Sequence, residues 1–360
     1  RINDHFIVSG KVKFPQLNST LYLGNFNFET GQGLVFWGPF RLTKGVDPVQ
    51  AMEKTGRGLT SYTSSSEYSG YNGVGISSKF GIWNMNAFYS STKLDASADD
   101  STFTSLDRTG LHRTDSEIEK ENQLTENVLG FSLGANSQHA SAQLVLQSSK
   151  YDKSFQPGLG LNDKYDFSGN QNSVAGLNYS YFFANLQLFG EYARSQNNGR
   201  SFIHSAILKI DRFDFVLSHR HFSPEFQNLH ALAFGKLDLP TNEQGLYFGF
   251  MYKQSPKTTF SCYADLYRHP WARYNLPQPS SGWEQLFFLH NKFSSTFATQ
   301  FRFKIKSQQE QAYLLDLFGN EIKKNLNSKK YNLRLQADYQ VKRTLGFRTR
   351  MEYNFQEWDR

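Results

Sequence analysis

His219 and His221 stand two residues apart in LSHRHF. In an extended segment this spacing puts both imidazoles on one face, as a shared metal ion would need. No adjacent carboxylate or third ligand is evident, so no metal site is expected and the pair reads as structural. The acidic run TDSEIEKENQLTEN, residues 114–127, offers Asp115, Glu117, Glu119 and Glu121 to a hard cation. It lacks the D-x-D-x-D-G spacing of a calcium loop. Thr114 and Glu117 instead have capping-box spacing, which predicts one or two helical turns in a solvated loop. His269 precedes Pro270 and Trp271 and reads as a rim residue at a strand end. Neither G-x-S-x-G nor H-E-x-x-H occurs. No catalytic residue and no cofactor is expected from the motifs.

The charges form two other groups. Residues 38–66 carry Arg41, Lys44, Lys54 and Arg57 against Asp47 and Glu53. Near the end, Arg302, Lys304, Arg334, Asp338, Arg348, Arg350 and Glu352 recur at alternate positions of three segments. Full charges at that density do not fit a dry core, because burying them unpaired is costly. They require elements with one wet face and one greasy face.

Period two supplies such elements. In YNLRLQADYQV, residues 331–341, Tyr331, Leu333, Leu335, Ala337, Tyr339 and Val341 alternate with Asn332, Arg334, Gln336, Asp338 and Gln340. The same alternation runs through TFATQFRFKIK, GIWNMNAFYS and AGLNYSYFF. It marks strands between two media. The segments are about 9–12 residues long, the reach of a tilted strand across a bilayer.

Short links fall near residues 15–19, 79–81, 136–139, 184–185, 211–212, 254–257, 294–295 and 342–344. Long links span roughly 29–66, 94–126, 152–171, 223–243, 269–283 and 307–328, with a modest one at 196–200. Short turns on one side and long loops on the other are the pattern of an outer-membrane barrel. The expected fold is therefore all-β: a transmembrane antiparallel outer-membrane β-barrel with about 16 strands in this chain. One barrel domain over 1–360 is expected, with a long loop at 38–66 and an acidic extracellular loop at 94–126. This strand count places both chain ends on the long-loop side, and the closing EYNFQEWDR lacks a terminal aromatic. At least one further strand is thus expected at each end, making the chain part of a larger barrel.

Composition agrees. The 360 residues carry a formal charge of +7 and are 16 % aromatic, yet their mean hydropathy is -0.57. Many rings in a polar chain suit two wet surfaces and one greasy band. A single cysteine, Cys262, excludes a disulfide framework and cysteine-based zinc sites. The charge is too mild for a nucleic-acid footprint.

Four stretches resemble one family in its order: TGQGL at residues 30–34, EKTGRGLTSYTS at 53–64, TGLHRTDSEIEKEN at 109–122 and HPWARYNLPQPSSGW at 269–283. The family is the large barrel proteins of Bacteroidota that often carry an N-terminal helix-hairpin-helix region of the DNA-uptake type. The resemblance implies an outer-membrane barrel. The helix-hairpin-helix region has no counterpart in these residues, so no nucleic-acid partner is carried over.

Two readings of the 38–66 loop stand. It folds into the lumen, giving a basic constriction that favours anions, or it is an ordinary solvated loop. For the late charges, bracing across the wall is favoured over a positive field along the pore. Arg334 or Arg348 would pair with Asp338 or Glu352 on neighbouring strands. Phe36, Trp37, Trp83, Trp271, Tyr274 and Trp283 read as an interfacial aromatic girdle. The expected function is a channel or transport component with a polar, mildly basic lumen. The alternative is a plugged barrel serving as a scaffold in an envelope complex. An outer-membrane hydrolase is the least favoured, since it needs a histidine with an acid or serine at the rim. Expected partners are outer-membrane lipid, lipopolysaccharide and other envelope proteins.

Overall fold

The computed structural model describes residues 6–38, 43–52, 54–62, 70–315 and 317–359. Eighteen strands form one sheet. The first nine are β1 (Ser9–Phe14), β2 (Ser19–Glu29), β3 (Gly58–Ser61), β4 (Tyr71–Phe80), β5 (Trp83–Ala98), β6 (Thr102–Asp107), β7 (Leu124–Asn136), β8 (Ala140–Phe155) and β9 (Gly169–Phe183). The rest are β10 (Leu186–Ser195), β11 (Arg200–Ile210), β12 (Phe213–Phe222), β13 (Glu243–Ser255), β14 (Thr258–His269), β15 (Ser280–Lys292), β16 (Phe297–Leu315), β17 (Glu321–Lys342) and β18 (Leu345–Trp358). One short helix, α1 (Asp115–Glu119), opens with the expected capping box: Thr114 and Glu117 each accept the other's backbone N–H.

The wall is an antiparallel meander. β2 pairs directly with β4, and β5 directly with β7. β3 and β6 are accessory strands on β2 and β5. Without them the wall has about 16 strands, as period two predicts. The two extra strands lie inside links 29–66 and 94–126, too short to show alternation. Link 307–328 is not a loop. β16 and β17 run through it as a hairpin of 19 and 22 residues, whose outer arms, QQEQAY facing KKNLNSKK, are largely polar below a tip where Leu315, Leu317 and Phe318 are exposed. Beyond the bilayer no apolar face is required, so the alternation vanishes while the ladder continues. Among the described residues β1 pairs only with β2, and β18 only with β17.

The eight short turns lie where the sequence places them. Several rest on a positive φ, including Gly81 (59°) and the non-glycines Ala184 (49°) and Asp211 (49°). That region lets two-residue connections reverse the strands.

Period two then sorts the side chains. Leu144, Leu177, Leu217, Leu246, Leu266 and Leu289 are exposed on the outer face. Asn86, Ser132, Glu191, Ser218, Arg220 and Asp265 are buried on the inner face. No helix among the described residues is long and apolar enough to cross a membrane. Strands cross instead, their backbone groups satisfied in the ladder. The chain is an outer-membrane β-barrel.

The interior contains a dry core that the sequence reading did not expect. Val128, Val145, Val174, Phe189, Ile203 and Val216 point inward from successive strands and are covered by Leu34, Val35, Phe36, Val49, Met52 and Phe234. A second apolar cluster, centred on Phe103, Leu124 and Tyr151, joins the outer extensions of β5 to β8.

Candidate functional site: two loops folded into the lumen

The connection after β2 turns inward. Phe36 is fully buried, with ring centroids 5.1 Å from Phe28, 5.4 Å from Phe88 and 6.1 Å from Tyr71. Each such ring contributes roughly 1.5–3 kcal/mol by burial. The run from Gly31 to Trp37 is therefore not the outer end of a strand, because β2 ends at Glu29. Phe36 and Trp37 do not belong to the lipid girdle. Their apolar partners are other loop residues and the inner wall, a pairing that period-two analysis of one segment cannot reveal.

The backbone of this run is held by a wall carboxylate. Glu191 on β10 accepts the N–H groups of Gln32 (2.6 Å) and Leu34 (3.1 Å) through Oε2. Gly31, at φ 48°, permits the approach, since a Cβ there would lie 2.7 Å from the same oxygen.

The β12–β13 connection folds in beside it. Trp37 donates its N–H to the His230 carbonyl (3.1 Å), and Leu232 donates to the Gly33 carbonyl (2.9 Å). The Asn228 amide donates to the carbonyls of Leu34 (2.8 Å) and Val35 (2.9 Å). Lys54 Nζ donates to the Leu232 carbonyl (2.7 Å) and lies 4.4 Å from the Trp37 ring centroid. These bonds replace the water that a loop backbone would otherwise need.

Further along, the first loop docks on β13 and β14. Ser261 donates to the Val46 carbonyl (2.6 Å) and Tyr247 to the Pro48 carbonyl (2.9 Å). Lys44 forms an ion pair with Asp265, which is fully buried. Asp265 also accepts from Arg220 Nη1 (2.8 Å) and Nη2 (3.3 Å), while Arg220 Nε donates to Glu243 (2.6 Å). Glu284 then joins Tyr263 (2.6 Å), Lys304 (3.1 Å) and Lys236 (3.2 Å). The result is a buried chain of alternating charge from loop to wall, in which Asp265 serves two cations at once.

The described parts of the loop, residues 43–52 and 54–62, pack against the inner wall, and their charges do not line an open constriction. Lys44 and Lys54 are buried and engaged. Arg57 grips Glu29 with two hydrogen bonds (2.7 and 2.6 Å) while its side chain stays 59 % exposed. Glu29 raises the Arg57 pKa through those bonds. Arg41 lies outside the described residues. Below the loop a cavity of about 390 Å³ remains, lined by Lys54, Arg57, Lys79 and the amides of Asn84, Gln143 and Asn178.

The late charges line the opposite wall. Arg334 Nε donates to Glu352 (2.9 Å), and Arg348 Nε donates to Asp338. Arg302 reaches Asn332 (2.6 Å) and Glu352 (3.4 Å), and Arg350 donates to Gln336 (2.9 Å). Bracing across neighbouring strands is thus present. The cations Arg302, Lys304, Arg334, Arg348 and Arg350 still outnumber the carboxylates Glu284, Asp338 and Glu352 that they meet.

The remaining aromatic residues divide. Trp83 sits outward beside a short turn, and Trp283 shares the outward face of β15 with Phe287. Tyr274 is 82 % exposed in a loop. Trp271 packs its ring on Tyr165 (4.9 Å) and donates its indole N–H to the Leu161 carbonyl (2.8 Å). It serves loop packing and not the lipid interface.

Among the described residues two histidine–carboxylate couples occur near the outer loops. His230 Nε2 meets Glu126 (2.9 Å), and its Nδ1 meets the Tyr71 hydroxyl (3.1 Å). His112 Nε2 meets Asp95 (2.6 Å), and the His112 side chain is 1 % exposed. His230 and Glu126, together with Asp95 of the second couple, border a cavity of about 210 Å³ among the outer loops. Glu191, Arg220, Glu243, Asp265 and Glu284 had not been singled out from the sequence. Their one signal was a lone charge at an inward position of an otherwise alternating strand.

No protein-family model matches the chain. No curated protein matches it either. Solved structures do. Pseudomonas aeruginosa OccK5 (OpdH) aligns over 97 % of this chain and 81 % of its own, with 12 % identity and a TM-score of 0.44. Acinetobacter baumannii OccAB2 aligns over 98 % and 86 %, with 13 % identity and a TM-score of 0.42. The copper transporter OprC aligns over 98 % of this chain, which spans only 60 % of it, with 9 % identity and a TM-score of 0.46.

Proposed function

We propose that this barrel is a channel for small anionic or polar solutes. Its path runs beside the docked loops, along the charged inner faces of β15 to β18. The observation that carries this reading is the asymmetry of the interior. From β7 to β15 the inner wall is packed against the two loops, and the charges it carries are buried and engaged. On β16 to β18 the inner wall is charged and partly exposed, and its cations outnumber the carboxylates they meet. Guanidinium groups held by cross-strand bonds keep a fixed position, so their field acts on passing ions without rearrangement. The docked loops set the width and are not a mobile gate, because releasing them would expose a dry core to water.

The experiment is conductance of the full chain in planar bilayers under a salt gradient. A steady current with a reversal potential favouring anions is expected. Exchanging Arg302, Arg334 and Arg350 for Glu should move the preference towards cations. A silent barrel that co-purifies with another envelope protein would overturn the channel. It would favour the scaffold reading, which the dry loop packing also suits. The histidine couples brace loops in this account, so replacing His112 or His230 by Gln should leave conductance selectivity unchanged.

A further inference from the structure

The outward surface of β10 to β14 changes character in steps towards the outer end. A deep row pairs Leu188, Ala206, Leu217 and Phe248 in register. In the next outward row His204 faces His219. The row above it joins Phe202, His221, Gln244 and Arg268 across four strands. At the top Arg194 directly faces Arg200. Thus a lipid-like surface turns aromatic, then cationic, over the last few residues of each strand.

Three observations make this more than an ordinary rim. Phe202 lies among three imidazoles, with centroids 5.1 Å from His204, 5.5 Å from His219 and 5.2 Å from His221, the last stacked at 12°. Tyr179 bonds His204 Nδ1 (3.0 Å) across Gly190, where a Cβ would lie 2.7 Å from that nitrogen. The platform is therefore ordered. Second, Arg194 and Arg200 are exposed and mutually opposed, and like charges in that position repel. Third, the side chains of Arg194 and Arg268 donate to the neutral amides of Asn198 and Gln244. Among the described residues none of the three arginines pairs with a carboxylate. Glu225, at the top of β12, is the acid whose field reaches His221.

This end of the strands leads into the long loops, the extracellular side of such a barrel. A set of opposed guanidiniums at that depth needs anions, and planar guanidinium matches phosphate in a bidentate manner. We propose that Arg194, Arg200, His221 and Arg268 bind the phosphate groups of a phosphorylated glycolipid in the outer leaflet. Its acyl chains lie on the row of Leu188, Leu217 and Phe248. The site depends on the barrel and its orientation, and not on whether the lumen conducts.

The test uses the full chain in phosphatidylcholine nanodiscs doped with bisphosphorylated lipid A or with its dephosphorylated form, and native mass spectrometry to count retained lipid. Wild type should retain the phosphorylated form selectively. The variant with Arg194→Gln, Arg200→Gln and Arg268→Gln should bind it on the order of 100-fold more weakly, about fivefold per arginine. A charge-matched control, Arg212→Gln with Lys257→Gln and Arg343→Gln in the opposite short turns, should match wild type. If the triple variant does not fold, Arg200→Gln alone removes the repulsion and should still lose about fivefold. Undiminished binding by the arginine variants, or equal loss in the control, overturns the site. Complete displacement by excess inorganic phosphate overturns the lipid as its ligand.

Discussion

Replacing Asp265 by Asn should release the middle of the inward loop. Asp265 is fully buried and serves Lys44 from the loop and Arg220 from the wall. The amide keeps the volume but removes the charge. Lys44 then has no counter-ion there, and Arg220 keeps only Glu243. Breaking a buried pair by removing one partner costs roughly 3–5 kcal/mol. That shifts the docked loop towards release by on the order of 10²–10⁴-fold. Removing the other partner should do less. In Lys44→Met, Asp265 retains both bonds to Arg220, at 2.8 and 3.3 Å, so the loss is nearer 1–2 kcal/mol. Hydrogen exchange of the amides in 43–52 reads the opening free energy directly. Single-channel recording should show brief wider states in Asp265→Asn. The ordering is the critical result. If Lys44→Met accelerates exchange as much as Asp265→Asn, Asp265 is not the hub. If neither variant changes exchange by more than about threefold, the ion chain does not hold the loop.

Phe36→Ala should cost about 3–5 kcal/mol, because it opens a cavity among Phe28, Tyr71 and Phe88; the folded band in a semi-native gel should be lost at a lower temperature, and an unchanged temperature would remove Phe36 from the core. Ala184→Gly should stabilise by about 1 kcal/mol, since glycine adopts the 49° φ of that turn without a Cβ penalty; a lower denaturant midpoint would contradict this. The backbone N–H of Arg113, above all, holds the Glu117 carboxyl below its usual range. A depressed folded pKa contributes stability above the unfolded value, near 4.3, and loses it as pH falls through the folded one. The first turn of α1 should therefore fray at acid pH, seen as faster exchange at the Glu117 amide, and protection that persists to pH about 2 would refute the capping role.

The wall was legible because a bilayer and a wet lumen impose opposite demands on alternate residues. Leu335 and Tyr339 face out while Arg334 and Asp338 face in, and no other arrangement of that strand avoids burying charge. The turns were legible because reversing two strands in two residues demands special backbone angles. The 307–328 hairpin was missed for the same reason: outside the bilayer nothing forces alternation. That Arg334 or Arg348 would meet Asp338 or Glu352 was legible because their strands are neighbours; which arginine takes which acid was set by the register of β17 on β18.

The interior was a different matter. LVFW, residues 34–37, has the composition of a membrane strand, yet its Leu34, Val35 and Phe36 are buried inside the barrel. Composition states that these residues avoid water; it does not state which dry surface they find. That surface is built by strands far away in the chain, including β7, β9 and β11, whose inward Val128, Val174 and Ile203 have no meaning until the sheet curls. Asp265 likewise gains its role only when a loop more than two hundred residues earlier brings Lys44 to it. Local sequence determined the strands, their facing and the outer-membrane setting. Long-range packing alone decided what fills the lumen and which inner-wall charges it buries.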